Sequence, residues 1–339
     1  MRQILDIQKL LLPDLTEVLK KRYTILHHIQ FSGIIGRRAL AANLDLTERV
    51  LRAEVDFLKE QGLLESESTG MMLTESGKRL LADMEPLIKD LLGLSDLEEQ
   101  LKERYDLDQV VVVPGDWDHS SVTKKELGRA GAAALRKFAT KDGVIAVTGG
   151  STLAEIAEFM TVSSALKGSL FVPARGGLGE SVELQANTIA STMAKKTGGQ
   201  YRLLHVPDHL GEEAYQTLMQ DSTIRELVDI IRHARIVVHG IGDAMVMARR
   251  RKVDPQTIEG LQQEGALAEA FGYYFDRQGK VVHRMPTVGL RIEDIQNSQV
   301  VIAVAGGRSK GEAIASVMRY GHNDVLVTDE AAAQEILKY

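Results

Sequence analysis

From Val110 onward the chain repeats one unit: a short β-branched apolar run, a glycine-rich turn, then an amphipathic stretch. The runs fall at residues 110–113, 144–147, 170–172, 203–206, 236–238, 300–304 and 325–327. A strand that is apolar on both sides has to be covered on both sides, and intervening helices supply that cover. The pattern predicts an α/β domain with a doubly wound parallel sheet. Residues 1–92 have a different texture, with apolar positions recurring at a 3.6-residue period and almost no strand signal. The chain of 339 residues is long enough for two domains. They are expected at 1–92 and 93–339, joined through 93–108, where Ser95 is placed to N-cap a short helix over 96–104.

Composition narrows the function classes. Forty-one Lys and Arg against 47 Asp and Glu leave a net charge of −6, so the protein is not polybasic overall, although one domain can still carry a basic face. There is no cysteine, which excludes disulfides, thiolate catalysis and Cys-ligated zinc. No apolar run reaches the roughly 18–20 residues of a membrane span. Asp6 and Lys9 interrupt the first apolar stretch, so it does not read as a signal peptide, and a cytoplasmic location is expected.

The first domain spells out a winged helix-turn-helix. Pro13-Asp14 opens a helix to about Gln30, with Leu15, Val18, Leu19, Ile25, Leu26 and Ile29 available for its buried face, and Ser32-Gly33 ends it. A short helix follows over 37–44, Asp45-Leu46 makes a tight turn, and Thr47 caps a third helix to about Gln61. Leu51, Val55 and Leu58 face inward, leaving Glu48, Arg49 and Arg52 outward. Residues 62–65 and 70–73 pair as a hairpin with 66–69 at its tip. In such a motif the start of the second helix of the pair faces base edges of double-stranded DNA while flanking cations hold phosphates. Residues 20–52 carry seven cations against two acids, a local +5. Arg37, Arg38, Thr47, Arg49 and Arg52 are the DNA-contact candidates. Glu48 is either an acceptor for a cytosine amine or a first-turn helix acid. Residues 75–92 form an amphipathic stretch in which Pro86 predicts a kink or a break. A dimerisation helix and one packed on its own domain are equally compatible with it.

The second domain contains three strand-to-helix turns suited to phosphate. Thr148-Gly149-Gly150-Ser151-Thr152 follows one strand, Gly306-Gly307-Arg308-Ser309-Lys310 another, and His239-Gly240-Ile241-Gly242 leads to Arg249-Arg250-Arg251-Lys252. A helix N-terminus presents unspent N–H groups and the positive end of the helix dipole. Ligands of open α/β sheets bind outside the carboxyl ends of the strands, so the three turns are expected to converge. Arg175 follows another strand, and residues 181–195 read as a helix with Glu183, Gln185 and Asn187 near its start. Gln185 is either a sugar-hydroxyl ligand or a surface residue. Glu269, an acid among small residues, suits hydroxyl binding or a base role. Residues 273–282 read as a hairpin turning at Gly279.

Several motifs fail. Gly240-Ile241-Gly242-Asp243-Ala244-Met245 lacks the third glycine of a dinucleotide fingerprint, and Gly306 to Lys310 has the wrong spacing for a Walker A loop. Pro207 separates His205 from His209, so no helix aligns them on a metal. Trp117 reads as a packing or loop anchor rather than a stacking platform. No catalytic residue, cofactor or metal is expected.

The domain order, the Thr148–Thr152 turn, residues 181–199, the Phe271-Gly272-Tyr273-Tyr274-Phe275-Asp276 segment and the ending Val325-Leu326-Val327-Thr328-Asp329-Glu330 resemble the sugar-binding regulators of the SorC/DeoR type. The resemblance covers essentially the whole chain, with a longer lead-in over 1–13 than is typical. It implies an effector domain similar to ribose-5-phosphate isomerase and glucosamine-6-phosphate deaminase that binds sugar phosphates without turning them over. Within the family the chain looks most like repressors of glycolytic genes, which implies fructose-1,6-bisphosphate as the effector. Carried onto this chain, the resemblance implies a phosphate at Gly149, Gly150, Ser151 and Thr152, with Arg175, Gln185, Glu269 and Lys310 around the sugar. Arg250 and Arg251 would meet a second phosphate, with Arg249 not separable from them. A triple arginine exceeds what a monophosphate needs. A helix-turn-helix reads adjacent half-sites in two copies, so a homodimer or homotetramer is expected. The alternative is a sugar-phosphate isomerase or deaminase with an N-terminal oligomerisation domain and Glu269 as base. The winged motif and the lack of a catalytic His/carboxylate cluster argue against it.

Overall fold

The structure is a computed structural model that describes residues 10–67, 69–177, 181–207 and 212–339. The predictions for residues 1–9, for Ser68 at the hairpin tip and for His209 lie outside the described residues. The chain divides into two compact units, 1–96 and 97–339, each with its own core.

In the first unit α1 (Pro13–Ser32), α2 (Arg37–Asn43) and α3 (Glu48–Glu60) precede the hairpin β1 (Leu64–Glu67) and β2 (Gly70–Leu73), and α4 (Glu75–Leu92) closes the unit. Asp45 takes the left-handed conformation (φ 51°) in the turn between α2 and α3, a region that Asn and Asp tolerate better than most residues. The Thr47 hydroxyl accepts from the Val50 N–H and starts α3 as predicted. Leu26, Ile29, Leu40, Leu51, Val55 and Leu58 are buried together, and Leu81, Ile88 and Leu91 of α4 join them. α4 is therefore packed on its own domain. It also runs unbroken through Pro86, contrary to a break there, because buried residues on both sides of the proline hold the helix to the core. Leu15, expected inside, is 62% exposed, since the core begins further along α1 at Tyr23.

α5 (Leu94–Tyr105) begins earlier than predicted, and the boundary between the two units falls within it. Ser95 lies inside it and donates to the Asp90 carboxylate instead of capping it, and left-handed Gly93 separates α4 from α5. β3 (Gln109–Val113), α6 (Ser121–Phe138), β4 (Val144–Val147), α7 (Ser151–Glu158), β5 (Leu170–Pro173), α8 (Ala186–Thr197) and β6 (Gln200–Tyr201) follow. After α9 (Glu212–Leu218) and α10 (Ser222–Arg232) come β7 (Ile236–His239), β8 (Gly242–Asp243), α11 (Ala244–Arg250) and α12 (Pro255–Gln263). The second unit finishes with β9 (Ala268–Ala270), β10 (Tyr273–Phe275), β11 (Val281–Arg284), α13 (Ile292–Ile295), β12 (Val300–Val304), α14 (Gly311–Tyr320), β13 (Val325–Asp329) and α15 (Glu330–Ile336).

Seven strands form one all-parallel sheet in the order β3-β13-β12-β7-β4-β5-β6, as the doubly wound expectation requires. Val147, Phe171, Val238, Ile302, Val304 and Val327 place their side chains in its main core. The chain builds outward from β4 to β6, returns to β7 beside β4, and then builds back toward β3. That reversal opens a crevice between the carboxyl ends of β4 and β7, the place where such sheets bind ligands.

Two predictions need correction here. Residues 203–206 are not a strand, and the edge strand is the short Gln200–Tyr201. The Asn187 side-chain amide binds both the N–H and the C=O of Leu204, taking the place of a neighbouring strand. Nor is 181–195 one helix. A 3-10 turn (Val182–Leu184) is separated from α8 by Gln185, whose backbone is extended. The predicted hairpin forms as β10 and β11, but it belongs to a second, antiparallel sheet, β11-β10-β9-β8, that the sequence reading did not include.

Candidate functional site

A cleft of about 820 Å³, counted out to its mouth, opens at the β4/β7 reversal. Gly149, Gly150, Ser151, Thr152, Arg175, Gln185, Arg251, Glu269 and Lys310 all border it. Arg250 does not, and it lies exposed at the end of α11. Thr148 and Gly240, from two of the predicted turns, also line it, as do Leu184, Met247 and Phe271, which were missed in the sequence because nothing there marks an apolar wall residue.

One side of the cleft is the β4–α7 turn. Thr148 is tied to β7 through its N–H and accepts from the Gly240 N–H through its hydroxyl. Gly150 sits at φ 117°, ψ 162°, a region essentially reserved for glycine, and its N–H is held by the Leu184 carbonyl at 2.8 Å. A Cβ on Gly149 would lie 2.7 Å from that same carbonyl. Among the described residues no side chain caps the start of α7, so this end of the helix has N–H groups and dipole available at the cleft.

Other parts of the lining are cationic. Glu269, on β9, is buried, and one of its oxygens accepts from Arg251 (2.7 Å), from the Gly272 N–H (2.6 Å) and, more weakly, from Arg175 (3.4 Å). Arg175, Arg251 and Glu269 together carry one net positive charge in a buried setting. Glu269 serves there as an anchor for two guanidinium groups rather than as an isolated acid, which removes the feature that suited it to a base role. Phe271 holds φ 56°, unusual for a bulky residue, and its ring lies 4.3 Å from that of His239. Burial holds the His239 pKa below the ordinary histidine value, against the opposing effects of its Asn323 and Gly240 hydrogen bonds. Burial also lowers the Lys310 pKa, opposed chiefly by the nearby Asp118 carboxylate, and the field of Arg250 lowers it further.

The predicted phosphate turn at Gly306 to Lys310 is filled from within. Gly307 N–H donates to Asp329 (2.7 Å), Arg308 N–H to Asp116 (3.3 Å) and Ser309 N–H to Asp118 (2.9 Å), while the Ser309 hydroxyl also reaches Asp118. A Cβ on Gly307 would strike the Asp118 carboxylate. Three aspartates already occupy the anion-binding geometry of this turn, so the expectation that all three turns converge on a ligand is corrected. Only the Lys310 side chain reaches the cleft from it. Trp117 is buried in the core as an anchor, and its backbone N–H donates to the Asp329 carboxylate. Among the described residues no group of three or more acids or histidines could hold a metal ion, and no helix is long and apolar enough to cross a membrane.

In the first unit Arg38 is 90% exposed and 3.7 Å from Glu48, and Arg49 and Arg52 are exposed on α3. Arg37 is half-buried. Lys21 and Arg22 both pair with Glu54, just outside the window counted above, and Arg22 stacks on Phe57, so these two cations add little to a DNA-facing charge. Thr47 accepts from the backbone as a cap and retains its O–H to donate to a phosphate.

Two family models match this chain: a sugar-binding domain over residues 89–338 and the CggR N-terminal DNA-binding domain over 18–88. The chain belongs to the SorC family of sugar-binding transcriptional regulators. It is 50% identical over 339 residues to the central glycolytic genes regulator of Priestia megaterium, covering 100% of this chain and 99% of that one. It is 47% identical over 338 residues to the protein of the same name from Bacillus subtilis, with 100% and 99% covered. A crystal structure of a SorC family regulator from Enterococcus faecalis superposes with a TM-score of 0.67 at 41% identity, covering 71% of this chain and 99% of that one. The full-length sorbitol operon regulator SorC from Klebsiella pneumoniae shares the fold over 94% of this chain and 98% of its own, with a TM-score of 0.64 at 15% identity. These relatives are named as regulators, and the enzyme alternative is set aside.

Proposed function

We propose that the protein represses glycolytic genes by binding double-stranded operator DNA as a homodimer or homotetramer, and that fructose-1,6-bisphosphate weakens that binding. One observation carries the effector reading: the α7 N-terminus, uncapped among the described residues, and its glycine turn line a single cleft together with Arg175, Arg251 and Lys310. One phosphate sits at Gly149, Gly150, Ser151 and Thr152, with Gln185 and Glu269 beside the sugar. The second phosphate meets Arg251, and Arg250 contributes from outside the cleft wall. In the other domain Arg38, Thr47, Arg49 and Arg52 hold and read DNA, with Arg37 in support. The names of the full-length relatives and the matched DNA-binding and sugar-binding models favour the same division of labour.

The ligand need only prefer the state that fits DNA poorly. A coupling of about 1–3 kcal/mol weakens binding roughly 5–150-fold. The test is fluorescence anisotropy on duplex DNA from upstream of the gene's own operon, with and without fructose-1,6-bisphosphate, at two salt concentrations. Binding relieved by the bisphosphate, but not by inorganic phosphate at equal ionic strength, is the expected result. Binding indifferent to every sugar phosphate would refute the effector assignment.

A further inference from the structure

The face of α3 turned away from the core is divided by chemistry. Leu51, Val55 and Leu58 are buried, and at 100° per residue the opposite face carries Arg49, Val50, Ala53, Asp56 and Glu60, all exposed. Asp56 and Glu60 occupy the later turns, and the exposed strand β1 adds Glu65 and Glu67. Phosphates are repelled by those four carboxylates and attracted by Arg38, Arg49 and Arg52 at the opposite end. Charge therefore restricts close approach to DNA to the first two turns of the helix.

Within those turns one side chain does not fit a charged, solvated surface. Val50 is 40% exposed, whereas the other large apolar residues of α3 are buried or, like Phe57, half-covered, in that case beneath Arg22. The Val50 backbone N–H is already taken by the Thr47 cap, so its isopropyl group is what it offers a partner. Ala53, three residues on, lies beside it and widens the apolar spot. In the major groove only thymine presents a methyl group, and small apolar side chains are its natural contacts.

We infer that Val50, with Ala53, forms an apolar seat for the 5-methyl group of a thymine, and so sets base preference at one position of each recognition site. The inference rests on the DNA-binding reading of this domain and goes beyond it by naming the base and the group that reads it. Burying one methyl is worth about fourfold in affinity.

The test starts with duplexes selected by the full-length protein from a random pool. Each thymine is then replaced singly by uracil, which removes the methyl and leaves base pairing intact. The wild-type protein should lose about fourfold at one thymine per recognition site and little elsewhere. Val50→Ala should bind the thymine duplex more weakly and lose clearly less than the wild type on uracil replacement at that same position. A change that merely disturbed the helix would weaken both duplexes and leave the uracil loss intact. Wild-type binding unaffected by every replacement, or a variant that keeps the full loss, overturns the inference. Failure of the wild-type protein to bind any duplex overturns the DNA-binding reading itself, and the inference with it.

Discussion

The two double-glycine turns of the parallel sheet, Thr148 to Thr152 and Gly306 to Lys310, are nearly interchangeable as sequences. Each ends a β-branched strand, each has a glycine with positive φ as its second member (Gly150 and Gly307), and each enters a helix within a few residues. Their surroundings reverse their roles. The first borders an open cleft that arginines also line, whereas the N–H groups of the second are held by Asp116, Asp118 and Asp329. A turn built to bind an anion says nothing about whether the protein supplies the anion itself.

The comparison can be broken most severely at Asp329. Its carboxylate accepts from Trp117, Gly307 and Ala332 N–H groups, so Asp329→Ala leaves three buried donors unmet. A loss of at least about 3 kcal/mol is expected, from the lower end of the usual penalty per group, measured as a lowered denaturation midpoint. The open turn should respond in function instead of stability. A Cβ on Gly150 would meet nothing among the described residues, so Gly150→Ala isolates the backbone strain of that position. About 1–3 kcal/mol of effector affinity should be lost, by calorimetry, with DNA binding unchanged. If folding fails in place of binding, the contrast between the turns collapses.

Lys310 sharpens the contrast through pH. Its folded pKa is lowered by burial, and the charged form is the one that binds an anion. Effector affinity is therefore full below that pKa and declines as pH rises through it, starting below the ordinary lysine range and by at most about tenfold per pH unit. Titration calorimetry across alkaline pH should show the decline in the wild type, and Lys310→Arg should remove it. The smallest effect belongs to Asp118→Ala, which frees the Ser309 N–H and hydroxyl. Affinity for inorganic phosphate should rise by about 0.2–1 kcal/mol, the scale of an exposed charge interaction.

Local signals explain what could be read in advance. The residues of β4 and β12 are apolar on both faces, and Thr47 precedes α3 with a capping hydroxyl, so these elements are visible within a few residues of sequence. The placement of Gly149, Gly150 and Lys310 at strand ends then follows from the fold. Pairings across the chain were hidden. Nothing near Glu269 announces Arg175 or Arg251, and nothing near Ser309 announces Asp118. The replacement of a seventh full strand by the Asn187 amide at Leu204 likewise depends on a contact that no periodicity encodes. The +5 window failed to see Glu54 for the same reason.

The bond between Glu269 and its two guanidinium partners joins pieces of different layers. Glu269 belongs to the antiparallel sheet, Arg175 leaves the parallel one after β5, and Arg251 terminates α11. One carboxylate oxygen thus acts as a rivet through a seam. Any anion that draws a guanidinium toward itself loads that rivet, and the pull is shared at once by both sheets and a helix. A ligand of a few ångströms that pulled on either guanidinium would in this way act on three elements at once.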